Sequence, residues 1–286
     1  AGEAPHLPLV DEEMERELMG RDEVEPPVAI EVPAPGGTSS DERRHHGLTH
    51  LPYQSWCKVC VRARGRENRH ESRSQVQPGT PVIQCDYCFL KTEEDAPMIT
   101  VLVAIDTVYK QVVAIPLEKK GNRDPFASRS LAAFAQYVGH PKVIIQGDSE
   151  HALMAVIHDV CALLTAATPR TSPVNSKGSN GAAERAVQSV EGMARTLRLD
   201  LLGRTNVAVG SDLPITSWMV RHAAWLLSHF QAGTADGKTA YARQFEKPYE
   251  SPVLPFAERV MWKDPTLQPA KLRSSWGYGL WLGTDK

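Results

Sequence analysis

Three acidic residues are spaced so that they could act together on a phosphodiester. Asp86 lies inside an apolar stretch, IQCDYCF, Asp148 directly follows another, VIIQGD, and Glu184 comes after a further 35 residues. A charged group inside a buried strand is costly unless it is paired or binds a cation, and Mg²⁺ prefers oxygen ligands. Two such ions can activate an attacking hydroxyl and stabilise the leaving oxygen at phosphorus. We therefore predict that Asp86, Asp148 and Glu184 bind Mg²⁺ (or Mn²⁺) and are catalytic.

Glu184 lies where a polar, glycine-rich loop runs into an amphipathic helix, in TSPVNSKGSNGAAERAVQSVEG. Small and aliphatic residues recur there at helical spacing, which predicts a helix over about residues 180–202 with one packed stripe. Glu184 falls on the neighbouring stripe and can face a cleft. Two rival acids fit less well, because Glu150 is too close to Asp148 and Glu191 lies two turns deeper. Taken singly, each acid of the trio also fits a strand-edge, turn or helix-dipole role.

A dense His/Cys cluster precedes the apolar stretches, in HHGLTHLPYQSWCKVCVRARGRENRH. Its Cys-x-x-Cys pair has the spacing of a zinc knuckle, and two histidines must complete a tetrahedral site. The favoured Zn²⁺ ligands are His50, Cys57, Cys60 and His70. The alternative pairs His50 with His45 or His46. The arginines that follow suit phosphate contact or a solvated basic linker equally well.

A second Cys-x-x-Cys pair, Cys85 and Cys88, flanks Asp86. Because side chains alternate along a strand, these thiols are not expected to share a metal, and we interpret them as small buried hydrophobic residues. The chain has five cysteines. An odd number in a chain of this length indicates a reducing compartment rather than a disulfide scaffold.

Apolar runs separated by helical patterns predict an α/β fold with a mixed sheet flanked by helices. The predicted strands are PVIQCDYCFL, MITVLVAID, QVVAIPL and PKVIIQGD. The helix DPFASRSLAAFAQYVG is capped by Asp124 and ended by Gly139. The next one, SEHALMAVIHDVCALL, has Ser149 as its predicted cap, and a later helix covers LPITSWMVRHAAWLLSHFQA.

The charge is unevenly distributed. Residues 1–42 have a net charge of −10, and the rest of the chain has +8. Residues 1–44 are acidic and rich in Pro and Gly, so we predict that they are disordered. A mildly basic body can approach a polyanion. We expect no membrane association, because no apolar run approaches the roughly 18–20 residues that span a bilayer, and no secretory leader follows Ala1. This favours an intracellular protein of nucleus and cytoplasm.

The Asp, Asp, 35 residues, Glu spacing, with NG…ER at Asn180, Gly181, Glu184 and Arg185, resembles the signature of retroviral and retrotransposon integrases. GKTAYARQFEKPY and LPFAERVMWKD…KLRSSWGYGLWLG resemble segments that follow the core in Ty1/copia-type elements. The resemblance covers residues 45–286 and implies a ribonuclease-H-like core at 80–232. It also implies a zinc module at 45–76 and a post-core segment at 233–286 with a partial SH3-like barrel.

The resemblance implies an integrase segment of a Pol polyprotein that performs 3′-end processing and strand transfer, with DNA ends and target DNA as partners and a homo-multimer as the working form. Three features depart from the family. Gln188 and Glu191 occupy positions where retroviral integrases have lysines, and the His-to-Cys gap is shorter than in their zinc modules. The 61 residues between Asp86 and Asp148 are somewhat more than usual, which we assign to a loop at 118–125. The predicted nucleic-acid contacts are Arg62, Arg64, Arg66, Lys177, Asn180, Arg185 and Gln188. The alternatives are a degenerate or co-opted nucleic-acid-binding protein and a ribonuclease-H-like nuclease.

Overall fold

The computed structural model describes residues 38–64, 79–172, 180–263 and 274–284. A five-stranded sheet in the order β3-β2-β1-β4-β5 forms its centre. The strands are β1 (Val82–Leu90), β2 (Ile99–Asp106), β3 (Val112–Leu117), β4 (Val143–Gly147) and β5 (Ala167–Thr171). The pairs β1–β2 and β2–β3 are antiparallel, whereas β4 runs parallel to both β1 and β5. The predicted fold class, a mixed sheet flanked by helices, is confirmed.

Seven helices lie along the described chain. They are α1 (Ser40–Thr49), α2 (Lys58–Arg64), α3 (Phe126–Val138), α4 (His151–Leu163), α5 (Gly181–Thr205), α6 (Pro214–Phe230) and α7 (Ala240–Phe245). The helices α3 and α4 pack on one face of the sheet, and α5 and α6 pack on the other. No helix in the described ranges is both long and apolar enough to cross a lipid bilayer.

The alternation of β1 divides its side chains between the two cores. Ile83 and Cys85 belong to the core with α3 and α4, whereas Cys88 belongs to the core with α5 and α6. The two cysteines therefore point to opposite faces and share no site, as expected. Burial raises the pKa of Cys88 to about 12 and that of Cys85 further still, so both thiols stay protonated and inert.

The ends of the helices agree with the sequence signals except at α4. The Phe126 N–H donates to Asp124 Oδ1 at 2.9 Å, and Gly139 ends α3 in the left-handed conformation, with φ of 77°. At α4, Ser149 is not the cap. Asp148 Oδ1 instead accepts from the Glu150 N–H at 3.2 Å. This contact orients an acid that belongs to the candidate site.

The segments before and after the sheet are built from small elements. Helix α1 starts with a capping box between Ser39 and Glu42, so residues 38–44 are helical or capping although they fall within the segment 1–44 predicted to be disordered. Residues 1–37 lie outside the described ranges. Of the predicted partial barrel, the described residues contain a two-stranded antiparallel sheet, β6 (Glu258–Lys263) with β7 (Trp276–Trp281).

Candidate functional site

The parallel pairing of β1 and β4 places two aspartates on neighbouring strands. Their register pairs Gln84 with Gln146, and each aspartate follows two residues later, Asp86 in β1 and Asp148 just beyond β4. Asp86 lies in the middle of β1, whereas Asp148 follows the carboxyl end of β4, a common position for ligands in open α/β sheets. Asp86 Oδ1 accepts from the Tyr87 N–H at 2.8 Å, which holds its carboxylate against the strand.

The position of Glu184 is set by β1, which holds the start of α5. Gln84 Oε1 accepts from the Ala182 N–H at 3.1 Å and from the Ala183 N–H at 3.3 Å. These are N–H groups of the first helical turn, which lack partners inside a helix. Since Gln84 and Asp86 lie two residues apart on β1, they share one face of the sheet. The first turn of α5, which carries the exposed Glu184, is therefore held beside Asp86.

The electrostatics of Asp86 show that the acids act on one another. Its pKa is raised to about 6, first by burial and then by the charges of Asp148, Glu184 and Glu150, although the Tyr87 N–H opposes the rise. A carboxyl whose ionised form is disfavoured by burial and by like charges is a recognised mark of functional sites. A bound cation would relieve both effects, and Asp148 and Glu184 are exposed and accessible to it.

The carboxylates of the acidic trio are not gathered as closely as the ligands of a formed metal site. Within the described ranges, the only group of three or more potential ligands whose atoms all lie within 4.8 Å of one another is a His/Cys cluster. The trio is therefore more open than that. Mg²⁺ keeps several of its waters and commonly takes one or two protein carboxylates, so an open set of hard oxygens fits it.

A fourth carboxylate beside the trio is neutralised by a lysine. Lys120 Nζ lies 2.7 Å from each carboxylate oxygen of Glu150. The same ammonium lies 4.7 Å from the ring centre of Phe89 and 5.0 Å from that of Tyr87. Glu150, a rival acid in the sequence, is thus engaged in an ion pair next to the site.

The His/Cys cluster has its ligand atoms gathered and buried. His46 Nε2 lies 3.3 Å from Cys60 Sγ, and His50 Nδ1 lies 3.6 Å from Cys57 Sγ and 3.8 Å from Cys60 Sγ. All four residues are buried. The set that converges is therefore the alternative in which His46 joins His50, because one turn of α1 places both histidines over the cysteines. His70, the favoured fourth ligand, lies outside the described residues.

The chemistry of this cluster fits Zn²⁺, which takes two histidine nitrogens and two thiolates in tetrahedral structural sites. Burial acts to raise the pKa of Cys60, but hydrogen bonds with His46, His50 and Arg64 outweigh it and lower the pKa to about 5. These hydrogen bonds favour the thiolate of Cys60, the form that binds metal.

The predicted nucleic-acid contacts fall into three groups. Arg62, Arg185 and Gln188 are exposed. Arg64 donates to the His50 carbonyl and to Cys60 Sγ, the latter at 3.3 Å, and the buried Asn180 donates to the Cys85 carbonyl at 3.0 Å. These two side chains are engaged within the protein, and their contact with nucleic acid stays a prediction. Arg66 and Lys177 lie outside the described residues.

Sequence reasoning missed three contributors to the site: Gln84, Lys120 and Asp200. Gln84 had a usable signal, since a polar residue two positions before Asp86 on a buried strand needs a partner. Lys120 gave none, because its partner Glu150 lies on another element. Asp200 on α5 contacts His50. The two residues lie so far apart along the chain that no local sequence pattern could have linked them.

No protein-family model and no curated protein matches the chain. Among solved structures it is similar to the HTLV-2 integrase catalytic core domain in complex with magnesium, with 18% identity and a TM-score of 0.41 over 57% of this chain and 95% of that one. It is also similar to a chain of the simian T-cell lymphotropic virus intasome in complex with PP2A regulatory subunit B56 gamma. That match has 19% identity and a TM-score of 0.46 over 84% of this chain and 79% of that one. A third similar structure is the catalytic core domain of BIV integrase, with 17% identity and a TM-score of 0.39 over 59% of this chain and 95% of that one. Sequence identities and TM-scores this low do not establish a function for this chain.

Proposed function

We propose that this protein is an integrase, a metal-dependent polynucleotidyl transferase that processes DNA 3′ ends and joins them to target DNA. The proposal is supported by the register that places Asp86 and Asp148 on neighbouring parallel strands and by the charges of Asp148 and Glu184, which raise the pKa of Asp86. Carboxylates that repel one another in the free protein are held ready for divalent cations.

Four residues of the chain have distinct tasks in the proposed reaction. Divalent cations, when bound, would activate the attacking oxygen and stabilise the leaving oxygen. Asp86 provides a partly buried carboxylate on a fixed strand, and Asp148 and Glu184 complete the oxygen ligands from the open side. Gln84 holds the first turn of α5 and so orients Glu184. In this scheme the water or DNA 3′-hydroxyl attacks phosphorus directly, and no covalent enzyme intermediate forms.

The finer assignment to a Ty1/copia-type retrotransposon, within a Pol polyprotein, is supported by sequence. GKTAYARQFEKPY includes α7, and LPFAERVMWKD…KLRSSWGYGLWLG includes β6 and β7. The proposed arrangement is a zinc module at 45–76, a core at 80–232 and a post-core segment at 233–286. Its partners would be retroelement DNA ends and target DNA, and two ends joined together would require a multimer, working in nucleus and cytoplasm.

The test is the joining of a labelled DNA end to a second duplex in Mg²⁺. Asp148→Asn and Glu184→Gln are expected to lower joining by roughly 100-fold or more, since each removes a charged oxygen ligand. Glu191→Gln, two turns further along α5, is the matched control and should join normally. Circular dichroism and thermal unfolding verify that each variant folds.

Two outcomes would replace the proposal with its rivals. DNA binding with no Mg²⁺-dependent nicking or joining would indicate a co-opted binding protein. Cleavage of RNA–DNA hybrid in preference to DNA would indicate a ribonuclease on the same fold. Undiminished joining in both acid variants would reject the site itself.

A further inference from the structure

Helix α5 contacts both candidate metal sites. Glu184 lies in its first turn, and Asp200 lies more than four turns later, where Asp200 Oδ1 is 3.5 Å from His50 Nε2. The other ring nitrogen of His50, Nδ1, faces the sulfurs of Cys57 and Cys60. We infer that Asp200 is a positioning residue for the metal ligand His50, so that Zn²⁺ binding by the His/Cys cluster and the stability of α5 are coupled.

The chemistry of imidazole explains the role of Asp200. A histidine binds metal through one nitrogen only when its other nitrogen carries the proton, and a carboxylate near that N–H fixes both the tautomer and the ring orientation. Asp200 is itself held in place, because Arg204 Nε donates to Asp200 Oδ2 at 2.8 Å one turn further along. Both His50 and Asp200 are mostly withdrawn from solvent, with side-chain exposures of 4% and 15%.

Two further contacts join the cluster to the same helix. Arg195 Nη1 donates to the Ala63 carbonyl at 2.8 Å. Gly192 leaves room for the side chain of Arg64, since a Cβ at position 192 would lie 3.0 Å from Arg64 Cγ. Arg64 in turn donates to the His50 carbonyl and to Cys60 Sγ. The His/Cys cluster and its helix α2 are therefore attached to α5 at three successive points. These are the close approach at Gly192, the hydrogen bond from Arg195 and the carboxylate of Asp200.

Coupling between a bound ion and a helix is reciprocal. If ordered α5 presents Asp200 to His50, then Zn²⁺ binding stabilises α5 by the same free energy through which α5 strengthens Zn²⁺ binding. This inference does not depend on the proposed integrase activity, because its measurements are metal affinity and hydrogen exchange.

The first experiment compares the zinc-loaded chain with the chain treated with a chelator, using amide hydrogen exchange. We expect faster exchange after chelation in residues 46–64 and also in residues 192–204 of α5. Helices α3 and α4, on the other face of the sheet, serve as the internal reference and should change little. Faster exchange confined to 46–64 would overturn the inference.

The second experiment measures Zn²⁺ affinity by competition with a chromophoric chelator. Asp200→Ala is expected to weaken affinity by roughly 10–100-fold, whereas Asp200→Asn, which keeps an acceptor oxygen, should lose less. Asp159→Ala on α4 is the matched control. Unchanged affinity in Asp200→Ala, together with an equal loss of thermal stability with and without Zn²⁺, would make Asp200 a purely structural residue and overturn the inference.

If Asp200→Ala does not fold, Gly192→Ala tests the same coupling at a second contact. The added methyl group displaces the side chain of Arg64, and we expect weaker Zn²⁺ binding at retained secondary structure. Affinity equal to that of the parent chain in both Gly192→Ala and Asp200→Asn would also overturn the inference.

Discussion

At the scale of the residue, Asp86 lies in surroundings that disfavour its ionised form. Its folded pKa of about 6 lies above its ordinary value of 3.8, through burial and then through neighbouring carboxylates. Protonated Asp86 therefore contributes stability that is fully present below about pH 3.8 and is lost as the pH rises through about 6. At neutral pH the metal-free protein carries an ionised group that its surroundings disfavour.

Asp86→Asn tests whether the ionised carboxylate of Asp86 lowers the stability of the metal-free protein. The change is expected to abolish DNA joining and, at pH 7 without metal, to raise the melting temperature by a few degrees, because the amide carries no charge. The gain should shrink below about pH 4, where Asp86 of the parent chain is protonated. Thermal unfolding in a chelator from pH 4 to 7 measures both effects. Asp95→Asn on an exposed loop is the control, and a parent chain more stable than Asp86→Asn at pH 7 would contradict the account.

Lys120 is expected to set the charge beside the trio. Lys120→Met leaves the Glu150 carboxylate unpaired, and Glu150 already raises the pKa of Asp86. The acid limb of the pH–activity profile should therefore move to higher pH, by on the order of half a unit, and Glu150→Gln should move it to lower pH. Lys142→Met before β4 is the control. The measurement is the rate of DNA joining between pH 5 and 8. An unchanged acid limb of the pH–activity profile in both variants would show that the Lys120–Glu150 ion pair does not act on the site.

At the scale of the element, the attachment of α5 to β1 places Glu184. Gln84→Ala removes the acceptor that two N–H groups of α5 share, and loss of a helix cap costs about 0.5–2 kcal/mol. We expect joining to fall by more than this stability loss explains, since Glu184 is no longer held. Urea unfolding and joining rates give the two quantities, with the exposed Gln136→Ala on α3 as control. Full joining at reduced stability would show that Glu184 does not depend on this cap.

The elements also show how far the sequence could lead. Apolar runs predicted β1 to β4, and helical spacing predicted α3 to α6, because these patterns are local. Strand β5, ATPRT, has no apolar run and forms through its pairing with β4 from Val143 to Gly147. For the acidic trio the spacing along the chain carried the prediction of a shared site, and it stays a prediction. The fourth zinc ligand was not predictable, since several histidines fit the Cys-x-x-Cys pair and only packing brings His46 to it.

At the scale of the whole molecule, the charge is divided between an acidic leader and a basic body. Residues 1–37 carry ten Asp or Glu and two Arg, and residues 38–286 form one compact unit. A leader of net negative charge lowers the potential that draws a polyanion to the body. The net charge of the whole chain, −2, therefore hides a net charge of −2 − (−8) = +6 on residues 38–286.

Removal of residues 1–37 is expected to tighten DNA binding several-fold at low salt. The difference should shrink as salt is raised, because the Debye length falls from about 30 Å at 0.01 M to about 8 Å at 0.15 M. Fluorescence anisotropy with a labelled duplex, measured across that range, gives the comparison. A chain in which the ten acids are changed to amides is the matched control and should behave like the truncated one. Weaker binding by the truncated chain would contradict the charge argument.

The three acids differ in how firmly the backbone holds them. Strand β1 is paired with β2 from Ile83 to Leu90 and with β4 at its start, so Asp86 cannot shift without deforming the sheet. Asp148 lies just past the end of β4, and Glu184 lies in an opening helical turn. In the proposed reaction, substrates of different width would therefore be accommodated by movement of these two acids, and Asp86 would be the fixed reference for the reacting phosphorus.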